Sequence, residues 1–297
     1  MLDLVIESRP HDLGGFRVAR VLPYRKRRMV GPFIFFDRMG PHDMPAPIPK
    51  GTDVRPHPHI GLSTVTYLFS GQMTHRDSTG VEQVILPGEL NWMTAGAGIS
   101  HSERFDGMRA HGGHMDGIQA WVALPEGNEE DAPSFAHFKA ACLPALQDDG
   151  AQAQLIAGRA YGLTSPALTR SPLFYLHAEL QAGSQLPMPD GYPERAVFVA
   201  RGSILLDGHS YGEGQMPVIS GSSAASLKAL EPARVMLLGG EPVGPRHIWW
   251  NFVSSRKDRI ELAKADWVAG RIALPPMDNQ EFIALPASPK PSPEPMS

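Results

Sequence analysis

Apolar and polar residues alternate in short stretches along the chain, over residues 64–69, 83–86, 118–124, 173–178, 196–200 and 235–238. Successive side chains of a β-strand point to opposite faces, so each stretch predicts a strand with one face turned to a core. Turn-forming pairs such as Ser70-Gly71, Pro87-Gly88 and Asp207-Gly208 close them. Many short strands punctuated in this way predict an antiparallel sandwich or barrel. One helix interrupts the pattern: Ile260, Leu262, Ala263, Ala265, Trp267 and Val268 recur at roughly helical spacing, and Gly270 stops the run. Beyond it, the prolines at 286, 289, 291, 293 and 295 exclude strand and helix, so residues 286–297 read as a disordered, Pro-rich tail.

The alternating stretches fall into two groups. An acidic run from Glu126 to Asp131 and the turn-like Gln147-Asp148-Asp149-Gly150 separate them, which predicts domains over 1–140 and 141–285. Leu68-Phe69-Ser70-Gly71 is echoed by Phe198-Val199-Ala200-Arg201-Gly202, with Gly71 and Gly202 offset by 131 residues, a hint of duplication.

Composition sharpens this picture. Gly 30 and Pro 29 make up about a fifth of the 297 residues, which fits turn-rich β architecture and not a helical bundle. Lys and Arg number 27 against 31 Asp and Glu, for a net charge of −4, so no basic surplus exists to neutralise nucleic acid. The lone Cys142 cannot form an internal disulfide, and no apolar run approaches the ~18 residues of a membrane span. Asp3 and Glu7 stand where a signal peptide would be basic and then apolar. A soluble, cytoplasmic protein is expected.

The densest chemistry lies in Arg55-Pro56-His57-Pro58-His59 and in His101-Ser102-Glu103. Residues i and i+2 of a strand share a face, so His57 pairs with His59 and His101 with Glu103. Two such strands on facing walls of a small barrel would aim four donors at one interior point. Three neutral imidazoles and a carboxylate suit a divalent transition metal, and four ligands on an octahedral ion leave two positions open. Glycines at 51, 71, 88, 96 and 98 fit barrel corners, where backbone needs positive φ or close approach.

The spacing Gly51-x5-His57-x-His59-x4-Thr64-x6-Gly71, followed by Gly98-x2-His101, resembles the paired motifs of the cupin superfamily. More narrowly, the chain is similar to the pirin family over about residues 30 to 270. The likeness rests on Phe33-Ile34-Phe35-Phe36-Asp37, on Arg55-Pro56-His57-Pro58-His59-Ile60-Gly61 and on Pro87-Gly88-Glu89-Leu90-Asn91-Trp92-Met93-Thr94-Ala95-Gly96. Gln119-x-Trp121-Val122 and Gly239-Gly240-Glu241-Pro242 extend it. The resemblance implies an all-β protein of two stacked cupin barrels with one short C-terminal helix. It implies one divalent metal in the N-terminal barrel, iron(II) first, with nickel, manganese, copper or zinc suiting the same donors. Its ligands would be His57, His59, His101 and Glu103. Thr64 stands where most cupins carry a metal-binding Glu, and Glu103 takes over that role in pirins. At the 131-residue offset His57 maps to Met188 and His59 to Asp190, so the C-terminal barrel is expected to lack ligands.

Pirins also resemble quercetin 2,3-dioxygenases, which implies a small aromatic substrate and O2. In that reaction Glu103 would accept the flavonol 3-hydroxyl proton, and ring cleavage would release carbon monoxide and a depside. The alternative is a metal- or redox-sensing regulator acting through a protein partner, with Arg25-Lys26-Arg27-Arg28 the candidate patch. His75 is read as an outer hydrogen-bonding partner of the metal site, and Gln119, on the face of Trp121, as a substrate contact. His111 and His114 read as surface loop, and Trp249, Trp250 and Trp267 as packing between domains. Cys142 carries no catalytic role.

Overall fold

Leu62–Ser70 (LSTVTYLFS) is rich in the β-branched and aromatic residues that pack on a pleated surface, and its first seven residues are buried. A strand buried on both faces belongs in the middle of a sheet, and this one lies between Leu90–Thr94 and Gly113–Ala123. The computed structural model describes residues 2–12, 16–221 and 224–287. The tail expected over 286–297 lies outside these from residue 288 onward.

Internal contacts divide the chain into two units. One comprises residues 1–9, 19–35 and 138–243, the other residues 10–18, 36–137 and 244–297. A cut between 140 and 141 separates most of the two, but residues 1–9 and 19–35 join the later half and residues 244 onward the earlier one. Pairing explains the first exchange: Leu2–Glu7 hydrogen-bonds to Gln215–Ser220 as an antiparallel edge strand. Each unit is a cupin-type barrel of one long and one short sheet.

In the first unit the long sheet runs Leu2–Glu7, Gln215–Ser220, Glu194–Arg201, Ala233–Gly240, Leu173–Leu180, Ala151–Ala160, Ala145–Asp148. The short sheet runs Gln185–Pro187, Ser226–Ala229, Ser203–Leu206, His209–Gly212. In the second unit, with residues 9, 19–22, 33–35 and 138 counted to the first, the long sheet runs Ser134–Phe138, Leu90–Thr94, Leu62–Ser70, Gly113–Ala123, Phe33–Met44, Arg17–Leu22, Arg9–Asp12. Its short sheet runs Val54–His59, Ile99–Arg104, Met73–Asp77, Glu82–Ile85. The strand orders correspond position by position, which extends the sequence echo to the whole topology. Leu62–Ser70 and Glu194–Arg201 stand third in their sheets, and each ends at a glycine in the left-handed region, Gly71 at φ 84° and Gly202 at φ 74°.

The helix is Lys257–Val268, and it packs Ile260, Ala263 and Trp267 against Ile60, Phe252 and Ile272. Trp249 stacks on Phe252, with centroids 6.1 Å apart. Trp267 belongs to this buried cluster and the half-buried Trp249 and Trp250 pack against it, so the three tryptophans expected between domains pack on the core of one unit. No helix among the described residues is long and apolar enough to cross a membrane.

A Cβ at Gly71 would lie 2.8 Å from the His114 carbonyl oxygen and 2.9 Å from the Met115 sulfur. Gly71→Ala is expected to cost about 2 kcal/mol or more, the left-handed penalty plus overpacking. The measurement is urea unfolding followed by tryptophan fluorescence, since all 5 tryptophans lie in this unit.

Candidate metal centre

Proline cannot donate to a sheet ladder and is tolerated on edge strands. Val54–His59 is such an edge, and its alternate prolines Pro56 and Pro58 leave His57 and His59 on the opposite face. Its neighbour Ile99–Arg104 sets His101 directly opposite His57 in the antiparallel register. The two histidine-bearing strands are thus hydrogen-bonded neighbours in one sheet, not facing walls as the spacing alone suggests. Adjacency brings the donors closer: the ring centroids of His57 and His101 are 4.4 Å apart, and those of His59 and His101 5.0 Å. One ring nitrogen from each of His57, His59 and His101 lies within 4.8 Å of the others.

Hydrogen bonds determine which nitrogens face inward. A carbonyl only accepts, so His57 Nδ1 donates to Arg55 O at 2.9 Å and His59 Nδ1 donates to Asn251 O at 3.1 Å. Each neutral ring then carries its lone pair on Nε2. His101 is set through a longer chain. Asp77 Oδ2 accepts from His75 Nε2 at 3.0 Å, which leaves His75 Nδ1 to accept from His101 Nδ1 at 3.3 Å. His101 Nε2 is therefore also bare, 3.1 Å from His59 Nε2. Two lone pairs at that distance repel unless a proton or a cation lies between them.

Burial works against charge here. It pushes His57 down to about 4, against the Arg55 carbonyl bond that raises it. His59 and His101 are held well below the ordinary range, first by burial and then by neighbouring imidazoles. The rings are neutral at pH 7, the state a metal requires. Burial would raise the Asp77 carboxyl, but hydrogen bonds from His75 and Thr79 outweigh it and hold it low.

Glu103 is buried, and its Oε1 lies 3.7 Å from His101 Nδ1, beside the ring rather than in the mutually close set of nitrogens. An irregularity in register between His101 and Glu103 accompanies this placement. Burial pushes its carboxyl up to about 8, with Arg104 opposing. Thr64 is buried in the row between Met93 and Trp121, with Trp121 edge-on to His59 at 5.1 Å. Gln119 Oε1 accepts from Thr66 Oγ1 at 2.8 Å. His75 also stacks on Phe135 at 4.5 Å. Residue spacing along the chain does not single out Asp77, Thr66, Phe135 or Asn251. Only Asp77 carried a signal, an i, i+2 relation to His75; Asn251 is 192 residues from the ring it orients.

Elsewhere, His114 is exposed and bonds Asp43 at 2.8 Å, away from the triad. Arg27 is engaged by Asp3 and Glu194, at 2.5 and 2.7 Å.

The sequence profile described as Pirin matches residues 15–122, and that of the Pirin C-terminal cupin domain matches residues 175–273. A pirin-like protein of Caulobacter vibrioides is 58% identical over 96% of this chain and 100% of its own length. A Pseudomonas aeruginosa protein provisionally named quercetin 2,3-dioxygenase is 36% identical, over 94% of this chain and 87% of its own. The crystal structure of a quercetin 2,3-dioxygenase from Acinetobacter baumannii superposes with a TM-score of 0.88 at 32% identity, covering 98% of this chain and 97% of that one.

The protonation states carry a stability consequence. Below pH 6.5 an unfolded histidine binds a proton that the buried one refuses, so each depressed histidine costs stability as pH falls toward its folded value. Glu103 acts oppositely, stabilising the folded state as pH falls from about 8 to its unfolded value near 4.5. Between 6.5 and 4.5 three histidines outweigh one carboxyl. The metal-free protein should therefore lose stability on acidification, by on the order of 1 kcal/mol per pH unit for each net proton. Urea midpoints in chelator at pH 7 and 5 measure this, and His101→Gln should flatten the slope.

Proposed function

The chain belongs to the pirin family, and on that premise we propose that it is a metal-dependent dioxygenase that cleaves flavonols such as quercetin at the 2,3 position. The supporting observation is the convergence of three buried Nε2 lone pairs whose Nδ1 atoms are all engaged elsewhere. Such a set fits a borderline dication. His57, His59 and His101 would hold the metal, with Glu103 as fourth ligand, and iron(II) is the ion we propose. When bound, the ion would supply Lewis acidity toward a substrate oxygen and electron exchange with dioxygen.

The protein's own groups account for the remaining requirements. Burial alone holds the Glu103 carboxyl protonated, but the charge of a bound dication would return it to the carboxylate form, in which it could take the 3-hydroxyl proton of a flavonol. Trp121 lies against His59 and Phe135 stacks on His75, and Thr64 and the Thr66–Gln119 pair put polar groups on the face that Trp121 shares. The reaction balances as one flavonol and one O2 giving one depside and one carbon monoxide. His75 acts on the site through His101, presenting that ring with its Nε2 bare.

We also propose that the barrel formed largely by residues 141–285 holds no metal. Where one short sheet has the row His57–His101–Asp77, the other has Leu186–Leu227–Leu206, all part of an apolar core.

Purified protein should carry about one metal ion per chain. Anaerobic addition of quercetin should shift its absorption band, and air should then start oxygen uptake with release of carbon monoxide. His101→Ala should lose both metal and turnover; full turnover without metal would end the proposal. His75→Ala should keep the ligands yet weaken metal binding by about 10- to 100-fold, read by chelator competition.

A further inference from the structure

The strand Ile99–Arg104 turns His101 and Glu103 toward the triad, so Ser100, Ser102 and Arg104 share its other face. Those outward residues all meet one segment. Ser100 Oγ donates to Ala273 O at 2.6 Å, and Ser102 Oγ donates to Asp278 Oδ2 at 2.6 Å. Arg104 clamps the same carboxylate with two parallel bonds, Nε to Oδ2 at 2.7 Å and a terminal nitrogen to Oδ1 at 2.8 Å. Five residues on, Ile283 N donates to Pro56 O at 2.8 Å, between Arg55 and His57 on the neighbouring ligand strand. Residues 272–283 therefore cross both ligand strands on the side away from the triad.

The segment has no helix or strand of its own, and Pro275-Pro276 prevents either. It is held instead by Ile272 in the apolar cluster with Ile60 and Trp267, and by Trp267 Nε1 donating to Ile283 O at 3.0 Å. Arg104 is the joint. It is 7% exposed, grips Asp278, and also lies 3.5 Å from Asp53, the residue immediately before Val54–His59. One guanidinium thus ties the crossing segment to both strands that carry imidazoles. Burial alone would raise the Asp278 carboxyl, yet the bonds from Arg104 and Ser102 hold it lowered.

We infer that residues 272–283 form a strap that holds the two ligand strands in register, with Asp278 as the positioning residue that sets how tightly the metal is kept. The inference rests on the metal reading of the triad. An edge strand has no neighbour on one side to fix it, and here Pro56 O is satisfied by the strap instead of by another strand. Loss of the Asp278 clamp leaves buried Arg104 without its bidentate partner, and the strand bearing His101 and Glu103 then keeps the weaker hold of Ser100 on Ala273 and of Arg104 on the exposed Glu281, at 3.1 Å.

The test uses cobalt(II) as the probe in the full-length protein, with its d–d bands reporting ligand geometry and transfer to excess chelator reporting release. Asp278→Asn keeps the shape and removes the charge; release should accelerate about tenfold or more, with altered d–d bands. Ser102→Ala, which breaks only one bond to the strap, should give a smaller acceleration and serves if Asp278→Asn does not fold. Gly71→Ala is the control for general loosening, since it destabilises the same unit from outside the strap. If Gly71→Ala releases cobalt as fast as Asp278→Asn, or if neither Asp278→Asn nor Ser102→Ala alters release in a folded protein, the strap has no positioning role. A wild-type protein that takes up no cobalt would instead overturn the metal reading, and the strap's role with it.

Discussion

Three buried imidazoles have their Nδ1 atoms engaged, and their Nε2 atoms are left facing one another. That single arrangement constrains everything around it. His57 is fixed by a carbonyl two residues away, His59 by a carbonyl from the hairpin His247–Trp249/Phe252–Ser254, and His101 by the His75–Asp77 pair on the next strand. A buried polar atom without a partner costs about 1–3 kcal/mol, so the metal-free site is a local liability. Apolar packing elsewhere in the same unit, with Leu68, Met73, Ile85, Phe105 and Met115 in one buried cluster, offsets that cost.

The two barrels show what the same strand order does with different side chains. In one, the central row of the short sheet is His57–His101–Asp77; in the other it is Leu186–Leu227–Leu206. Each buried leucine contributes roughly 2 kcal/mol of transfer free energy, whereas the polar row contributes geometry. The same strand order thus carries an apolar row in one short sheet and a polar row in the other. The backbone features that make the corners are retained in both, as Gly71 and Gly202 show.

Much of this was readable from residue patterns. Alternation located the strands, helical spacing and Gly270 located Lys257–Val268, and the i, i+2 histidines located the triad. Local periodicity succeeds there because it reports which face a side chain occupies. It is silent on what lies across that face. The spacing of His57 and His101 therefore suggests opposite walls where the sheet makes them neighbours, and the pattern around the tryptophans suggests a domain boundary where they pack within one unit. The contributions of Asn251 and Asp278 leave no periodic trace at all, since they arrive from 192 and 176 residues away.

The amino-acid sequence by itself determined the β class, the family and the identity of the three imidazoles, and it carried a hint of the repeated plan. These depend on side-chain type and short spacing, which the chain carries wherever it folds. Tertiary structure alone decided which nitrogen each ring presents, where Glu103 stands relative to His101, and which segment backs the histidine-bearing strands. Those properties are hydrogen bonds and packing between residues far apart in the chain, and they exist only once the barrel has closed.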